Sequence, residues 1–575
     1  MHDLVVRGAC VIDGTGGDRK TADVAVDGGI ITAVSTGSDT GPGISPGVRE
    51  IDASGLLLTP GWVDIHTHYD GQATWDPYLT PSSWHGVTTA VFGNCSVGFA
   101  PVRPGQESYL INLMEGVEDI PETVLAEGID FRWESFPEYL DTLESTARIM
   151  DIGAQVPHAA LRYYVMGARG ADFAEHPTTA EITEMGELLE AALRAGALGF
   201  TTSRTVKHRA ADGRITPGYG AEEAELTGLA LAMKRAGRGV MEVNSDFGEG
   251  DFARLRAAAE ISGQPLSVLL VQVDDAPGLW RQTLDQVAAA RADGLEVTAQ
   301  VASRPIGMLM GLEATVHPFT THPEWCALSD ISPRERVERL LRDDGLRRRL
   351  VEERPDDGHV KWMTGVLQRT FELDDRVDYE PSPEQSIAAR AKVLGKDPFA
   401  LALELLLADD GRALLLHPFE NYNAGDLEVV KEMLEDPNSI CGVADAGAHV
   451  GLICDASSPT SLLTHWGRDR VRGEKLPLEF LVKKQTADTA RAYGLHDRGI
   501  IAPGYKADLN LIDFQALRLR RPELVHDLPA GGRRIIQKAD GYRHTFVAGI
   551  EVMRDGVATG ELPGKLLRGG QWGGR

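Results

Sequence analysis

No run of consecutive apolar residues in this 575-residue chain reaches the ~20 that a membrane helix needs; stretches such as Leu401–Ala408 are too short or interrupted. Cysteine is scarce. The five present, Cys10, Cys95, Cys326, Cys441 and Cys454, are odd in number and contain no CxxC pair. That excludes a zinc ribbon or finger and argues against a disulfide framework in so long a chain. Basic clusters are missing too. With a net charge of −27 this argues against nucleic acid as a partner and favours solubility. The opening Met1-His2-Asp3-Leu4-Val5-Val6 lacks a basic region followed by an apolar one, so no secretory signal is read and a cytoplasmic location is the default expectation. Internal repeats and low-complexity tracts are also lacking.

What is present is the composition of a packed globular protein, 42% apolar and 25% charged, and the length holds a barrel of ~250 residues with substantial additions. The first 60 residues read as short strands between tight turns: Leu4–Arg7, Val11–Gly14, Ala22–Val26 and Ile30–Val34. The far end does the same, at Ala507–Asp513, Thr545–Gly549 and Glu551–Gly556. Neither end has enough core alone, so the two are expected to pair into one small β-domain. Between them strand and helix alternate, which implies a parallel sheet. The predicted strands are 58–66, 86–95, 150–158, 196–203, 239–246, 265–272, 296–302 and 439–446. Helices are expected at Ala180–Ala195, Ala221–Ala236, Phe252–Ser262 and Leu279–Ala292, and eight such units close into a barrel.

The gap from Ser303 to Pro437 is too long for a loop and contains helical patterns at Arg334–Glu352, Pro383–Gly395 and Pro398–Ala408. It leaves from the end of strand seven, where barrel active sites lie, so it is either a lid or peripheral decoration. The expected fold is therefore α/β: a TIM (β/α)8 barrel, a small β-sandwich domain from both chain ends, and an inserted helical subdomain. The divisions are 1–56 and 501–575 for the β-domain, 57–302 for strands one to seven, 303–437 for the insert and 438–500 for strand eight with its helix. The Gly- and Arg-rich tail from Leu567 is expected to fray.

The chemistry-bearing residues cluster at predicted strand ends. His66-Thr67-His68 follows an apolar strand entered by Pro60-Gly61, and residues two apart on a strand point the same way. Both imidazoles then face the barrel mouth at a spacing suited to one divalent ion. A bare HxH is more often two satisfied loop histidines; the strand before it shifts the balance to metal. Asp445 ends the last strand, which neighbours the first in a closed barrel, so its carboxylate falls near both histidines, as a metal ligand and proton acceptor or as a simple cap. Cys95 ends strand two and reads as a thiolate ligand or as a small buried residue. His158 ends strand three and faces the same rim, where it would orient substrate or support the metal ligands from behind. His208 and His449 lie in rim loops.

The stretches Pro60–His68, Gly86–Thr89 with Gly93-Asn94-Cys95, His158–Arg162 with Val165–Gly167, Gly196–Ser203, Ala444–His449 and Gly504–Leu509 resemble the amidohydrolase superfamily. More narrowly they are similar to its N-acyl-D-amino-acid deacylase (D-aminoacylase) group, over nearly the whole chain. The resemblance implies that His66, His68 and Cys95 are metal ligands and that Asp445 is the catalytic acid/base beside the metal. It implies one or two zinc ions, with another divalent metal as the alternative. In that family histidines also stand at the ends of strands five and six. Here strand five reads Val240-Met241-Glu242-Val243-Asn244-Ser245-Asp246 and strand six Leu269-Leu270-Val271-Gln272-Val273-Asp274. Glu242, Asn244 and Gln272 are then the substitute ligands, or the site holds one metal.

The implied reaction is hydrolysis of a linear amide, an N-acyl-D-amino acid. The alternatives are another amide (cyclic amide, carbamate or N-formyl group) and a non-catalytic barrel acting as a binding module. The partner expected is a small molecule, with no nucleic acid or membrane, and homo-oligomerisation is left open. A substrate carboxylate needs a cation, and the candidates are Arg204, His208, Arg304 and, beyond strand eight, Arg468. Arg304 is favoured because it directly follows a strand end and a guanidinium binds carboxylate through two hydrogen bonds. A salt bridge at the base of the insert is the competing role.

Overall fold

Eight parallel strands run through the middle of the chain: β1 (Trp62–Asp64), β2 (Val87–Phe92), β3 (Asp151–Pro157), β4 (Gly199–Arg204), β5 (Val240–Ser245), β6 (Leu266–Leu270), β7 (Val297–Val301) and β8 (Ser439–Cys441). They are hydrogen-bonded in that order in this computed structural model, which describes residues 1–36 and 43–569. Just beyond the ends of β1 and β8 the sheet meets itself. Thr67 bridges Ala446 in parallel, the His68 N–H donates to the Ala446 carbonyl at 2.8 Å, and the Asp445 N–H donates to the His66 carbonyl at 3.1 Å. The result is a (β/α)8 barrel.

Burial explains the strand composition. β2, β3 and β4 are buried at every position, which suits the near-continuous apolar runs and small polar residues of a sheet covered on both faces. Helices lie between strands as the periodicity predicts: Thr179–Ala195, Glu223–Ala236, Asp251–Ser262 and Leu279–Ala292. The first begins with a capping box in which the Thr178 hydroxyl accepts from the Glu181 N–H.

Strand one differs from expectation. The predicted run 58–66 is two strands, because Leu57–Pro60 pairs with Leu509–Ile512 in the terminal sheet before Trp62–Asp64 enters the barrel. The join is Gly61, where a Cβ would lie 2.2 Å from the Thr88 hydroxyl. Leu57–Pro60 belongs to one nine-stranded sheet built from both chain ends. Its core includes Leu4, Val24 and Ile31 from the first end and Leu509, Leu511 and Phe546 from the second. Part of the expected fraying tail is pinned: the Leu567 N–H donates to the Ile152 carbonyl at 2.7 Å and the Gly569 N–H to the Gly196 carbonyl at 2.8 Å. Residues 570–575 lie outside the described residues.

The segment between β7 and β8 is largely helical and has its own core, with Met310, Leu340, Leu350, Met363, Phe399 and Leu406 among its buried side chains. Its predicted helix Arg334–Glu352 is interrupted at Asp343, which ends Pro333–Arg342 and caps Asp344–Glu352 through the Leu346 N–H. It also holds a small antiparallel sheet that periodicity did not reveal, Ile306–Met310, Leu415–Glu420 and Phe371–Glu372. Arg470, after β8, ties this segment down through two 3.0 Å hydrogen bonds to the Glu380 carboxylate.

Candidate metal centre and active-site cavity

The seam between β1 and β8 places the chemistry. Thr67 takes the closing bridge, while His66 and His68 on either side direct Nε2 at the same Asp445 oxygen, 3.2 and 3.5 Å away. Cys95 Sγ lies 3.5 Å from His66 Nε2. The ligand atoms of His66, His68 and Cys95 fall within 4.8 Å of one another, and all three side chains are buried. Cys95 is brought there by a turn after β2 in which Gly93 has φ +87° and Cys95 φ +54°. A Cβ at Gly93 would stand 2.3 Å from the Gln155 carbonyl oxygen, so the turn demands glycine. Asn94 clamps the same turn by donating to the Thr67 and Val91 carbonyls at 3.0 and 3.1 Å.

Each imidazole is also held from behind. His66 Nδ1 meets Gln300 Oε1 at 2.9 Å, and His68 Nδ1 lies 3.3 Å from Glu118 Oε1. Glu118 Oε2 is in turn 3.5 Å from His449 Nε2. Burial pushes His66 down to about 4, the neutral form a metal requires. Burial would also lower His68, but Glu118 and Asp445 outweigh it and raise it to about 9. Burial would raise the Asp445 carboxyl, yet the hydrogen bond from His68 and the charge of both histidines hold it far below the usual carboxylate range. Glu242 is pushed up to about 8, chiefly by burial.

The donor set suits a divalent ion: two imidazoles, a thiol and a carboxylate converging in a buried space. Buried Glu242 Oε1 has no hydrogen-bond partner, which also fits a site that completes itself with a cation. The group opens into a cavity of about 620 Å³ lined by His68, Cys95, Asn244, His208, Asp445 and His449, with Ile306, Phe419 and Glu420 from the insert forming part of its wall.

Residues 49–553 match the family model described as the amidohydrolase family. The chain belongs to the amidohydrolase family. Among curated relatives, this amidohydrolase is 28% identical to an N-acyl-D-glutamate deacylase of Alcaligenes xylosoxydans xylosoxydans, over 98% of this chain and 96% of that one. It is 26% identical to a D-aminoacylase of the same organism, over 98% and 97%. Among solved structures it resembles the N-acyl-D-glutamate deacylase of Bordetella bronchiseptica, described as complexed with zinc and a phosphonate inhibitor. The TM-score there is 0.63, the identity 25%, and 99% of each chain is covered. A D-aminoacylase crystal structure matches at TM-score 0.64 and 24% identity over 99% of this chain and 100% of that one, a likeness of fold.

The amidohydrolase barrel brings together His66, His68, Cys95, Asp445, Glu242, Asn244 and His208. Glu242 sits under the group, accepting the Cys95 N–H at 3.2 Å, and Asn244 Nδ2 lies 3.9 Å from Cys95 Sγ and 3.2 Å from His208 Nε2. Five candidates are not brought to the cavity. Gln272 is tied to the Asn421 side chain and the Pro277 carbonyl. His158 has both ring nitrogens occupied, by Thr202 at 2.8 Å and Glu225 at 3.0 Å. Arg204 is buried against Asp251 at 2.8 Å and the Ala221 carbonyl at 2.8 Å. Arg304, the favoured carboxylate anchor, is buried against Asp455 at 2.8 Å with its guanidinium 4.0 Å over the Tyr379 ring. It holds the chain after β8 to the base of the insert. Arg468 pairs with Asp469 at 2.6 Å.

Glu118 and Lys207 are among the residues that the sequence does not single out, as is Gln300 behind His66. Glu118 closes the helix Glu107–Glu118 and is 1% exposed. Nothing distinguishes it in sequence from the neighbouring acids Glu115 and Asp119. Lys207, on the loop after β4, carries no local sign that sets it above Arg204 at the strand end, yet it lines the cavity with His208 and Arg204 does not.

Proposed function

We propose that this amidohydrolase is an N-acyl-D-amino-acid deacylase, cleaving a linear amide with one zinc ion held by His66, His68 and Cys95 and with Asp445 as acid/base. The observation that carries the reading is the meeting of these four side chains on a 620 Å³ cavity, where a strongly acidic carboxyl lies 3.2 and 3.5 Å from the two imidazoles. Full-length likeness to deacylases supports the substrate class. One ion is favoured because the ends of β5 and β6 present Asn244, Leu269 and Val271 to the cavity and no imidazole.

When bound, the ion supplies Lewis acidity, polarising the amide carbonyl and lowering the pKa of water. The chain's own residues do the rest. His66 is kept neutral by burial and oriented by Gln300; His68 is oriented by Glu118. Asp445 stays ionised and takes the proton of the attacking water. It then delivers that proton to the leaving nitrogen, without which the amine departs poorly. Leu269, Val271 and Phe419 line the same cavity and limit water around the reacting amide.

The test is a panel of N-acyl-D- and N-acyl-L-amino acids assayed with and without added zinc, with metal analysis of the purified protein. Hydrolysis of the D series, dependent on one zinc per chain, is the expected result. Loss of the metal group without effect on turnover, or activity confined to cyclic amides, would defeat the reading.

A further inference from the structure

The cavity's lining is selective in a way the reaction itself does not require. Leu269, Val271, Trp280, Ile306, Phe419 and Ile453 give it broad apolar surface. Its charged groups are nearly all of one sign: besides Glu118 and Asp445 at the metal group, Glu115, Asp119, Asp246, Asp275 and Glu420 line it. Among the described lining residues Lys207 is the one lysine or arginine. It stands on the loop after β4, its side chain is 52% exposed, and its ammonium pairs with Glu420 at the end of the insert strand Leu415–Glu420. An ammonium has three N–H donors, so after Glu420 has taken one, Lys207 still has room for one ligand carboxylate. A second carboxylate would meet Glu420 and the surrounding acids with no cation to answer it.

Resting on the deacylase reading, we infer that the cavity takes N-acyl amino acids with apolar side chains, Lys207 holding the α-carboxylate and Glu420 turning away a second one. An N-acyl-D-glutamate or N-acyl-D-aspartate carries that second carboxylate into a site already acidic. An apolar side chain of leucine or phenylalanine size instead removes its own surface and that of the cavity wall from water. Charge repulsion without a partner cation separates the two classes widely.

The experiment compares the zinc-loaded enzyme on N-acetyl-D-leucine and N-acetyl-D-phenylalanine with N-acetyl-D-glutamate and N-acetyl-D-aspartate. The expected preference in kcat/KM is at least ~100-fold for the apolar pair. Lys207→Met is expected to raise KM for N-acetyl-D-leucine ~10-fold while leaving the neutral N-acetyl-D-leucinamide unaffected, and Glu420→Gln to narrow the gap to N-acetyl-D-glutamate. Calorimetric binding to zinc-loaded Asp445→Asn, which is built to bind without turning over, separates selectivity from chemistry. Tighter binding of N-acetyl-D-leucine than of N-acetyl-D-glutamate supports the inference even if no member of the panel is hydrolysed, an outcome that would sink the deacylase reading alone. Equal or better binding and turnover of the glutamate compound overturns the inference, and equal loss on acid and amide in Lys207→Met removes that lysine as the anchor.

Discussion

Asp445 and Glu118 show how different two carboxylates can be against the two ring nitrogens of one imidazole, that of His68. Asp445 faces the cavity and is held ionised by two histidines; its exchange for asparagine keeps the shape and removes the proton acceptor. Asp445→Asn is therefore expected to lose at least ~100-fold in kcat while keeping most of its zinc, read by single-turnover kinetics and metal analysis. Near-normal turnover would take Asp445 out of the mechanism. Glu118 touches no cavity-centred reacting atom in this arrangement but backs His68 at 3.3 Å and His449 at 3.5 Å. Carboxylates behind metal-binding imidazoles raise ligand basicity and fix the ring. Glu118→Gln should weaken zinc retention ~10–100-fold in chelator competition, with Glu118→Asp recovering part of it. Unchanged zinc affinity would reduce Glu118 to a packing role.

At the scale of elements, the segment between β7 and β8 is held by a compact ionic joint. Glu380 accepts from Arg470 at 3.0 Å through both oxygens, lies 3.1 Å from His465, and accepts the Leu427 N–H at 2.9 Å. Burial would raise its carboxyl, but the hydrogen bonds from His465 and Arg470 prevail and lower it from an ordinary 4.5 to about 2. A carboxyl depressed on folding stabilises the folded state above its unfolded value, and that contribution disappears as pH falls from 4.5 towards 2. Glu380→Gln should therefore melt below wild type at neutral pH, and the two melting temperatures should converge across that acidic window. A difference constant with pH would show that Glu380 acts by shape alone.

Sequence periodicity found these elements wherever one rule governs several residues at once. The barrel helices and six of the eight strands emerge close to their expected ends, because buried runs and caps are local signals, whereas strand eight stops at Cys441, short of the expected 446. The HxH and Cys95 were legible for the same reason: each is a side-chain type at a strand end. Leu57–Pro60 was absorbed into strand one because apolar residues look alike whether their partner is the barrel or the terminal sheet. Arg304 was misread because the partner that claims it, Asp455, lies far away in sequence and no local pattern announces an ion pair. Lys207 and Glu118 were missed for the converse reason: exposed-looking charge in a loop or helix end becomes significant only when another element folds over it.

At the scale of the whole molecule, the barrel and the terminal sheet are joined by a buried knot of charge. Arg498 Nη1 meets Asp151 at the start of β3 at 2.7 Å, and Lys506 Nζ reaches Asp151 and Asp508 at 2.8 Å each. Burial alone would raise Asp151, but Lys506 and Arg498 hold it below its ordinary value. Removing one cation strands buried negative charge. Arg498→Met is expected to cost about 3–5 kcal/mol, seen as a lower denaturation midpoint with zinc binding per folded molecule unchanged. A variant as stable as wild type would mean that Lys506 alone neutralises the pair.

The seam that closes the barrel also sets an order in time. His66, Thr67 and His68 leave the ribosome early; Ala446 and Asp445, which meet them across the Thr67 bridge and two backbone hydrogen bonds, follow only after six further strands and the whole insert. Until then the nascent chain can offer a metal its two histidines and, after β2, Cys95, but neither the carboxylate nor the wall that excludes water. On the proposed reading, hydrolytic competence is thus withheld until the last barrel strand has been made.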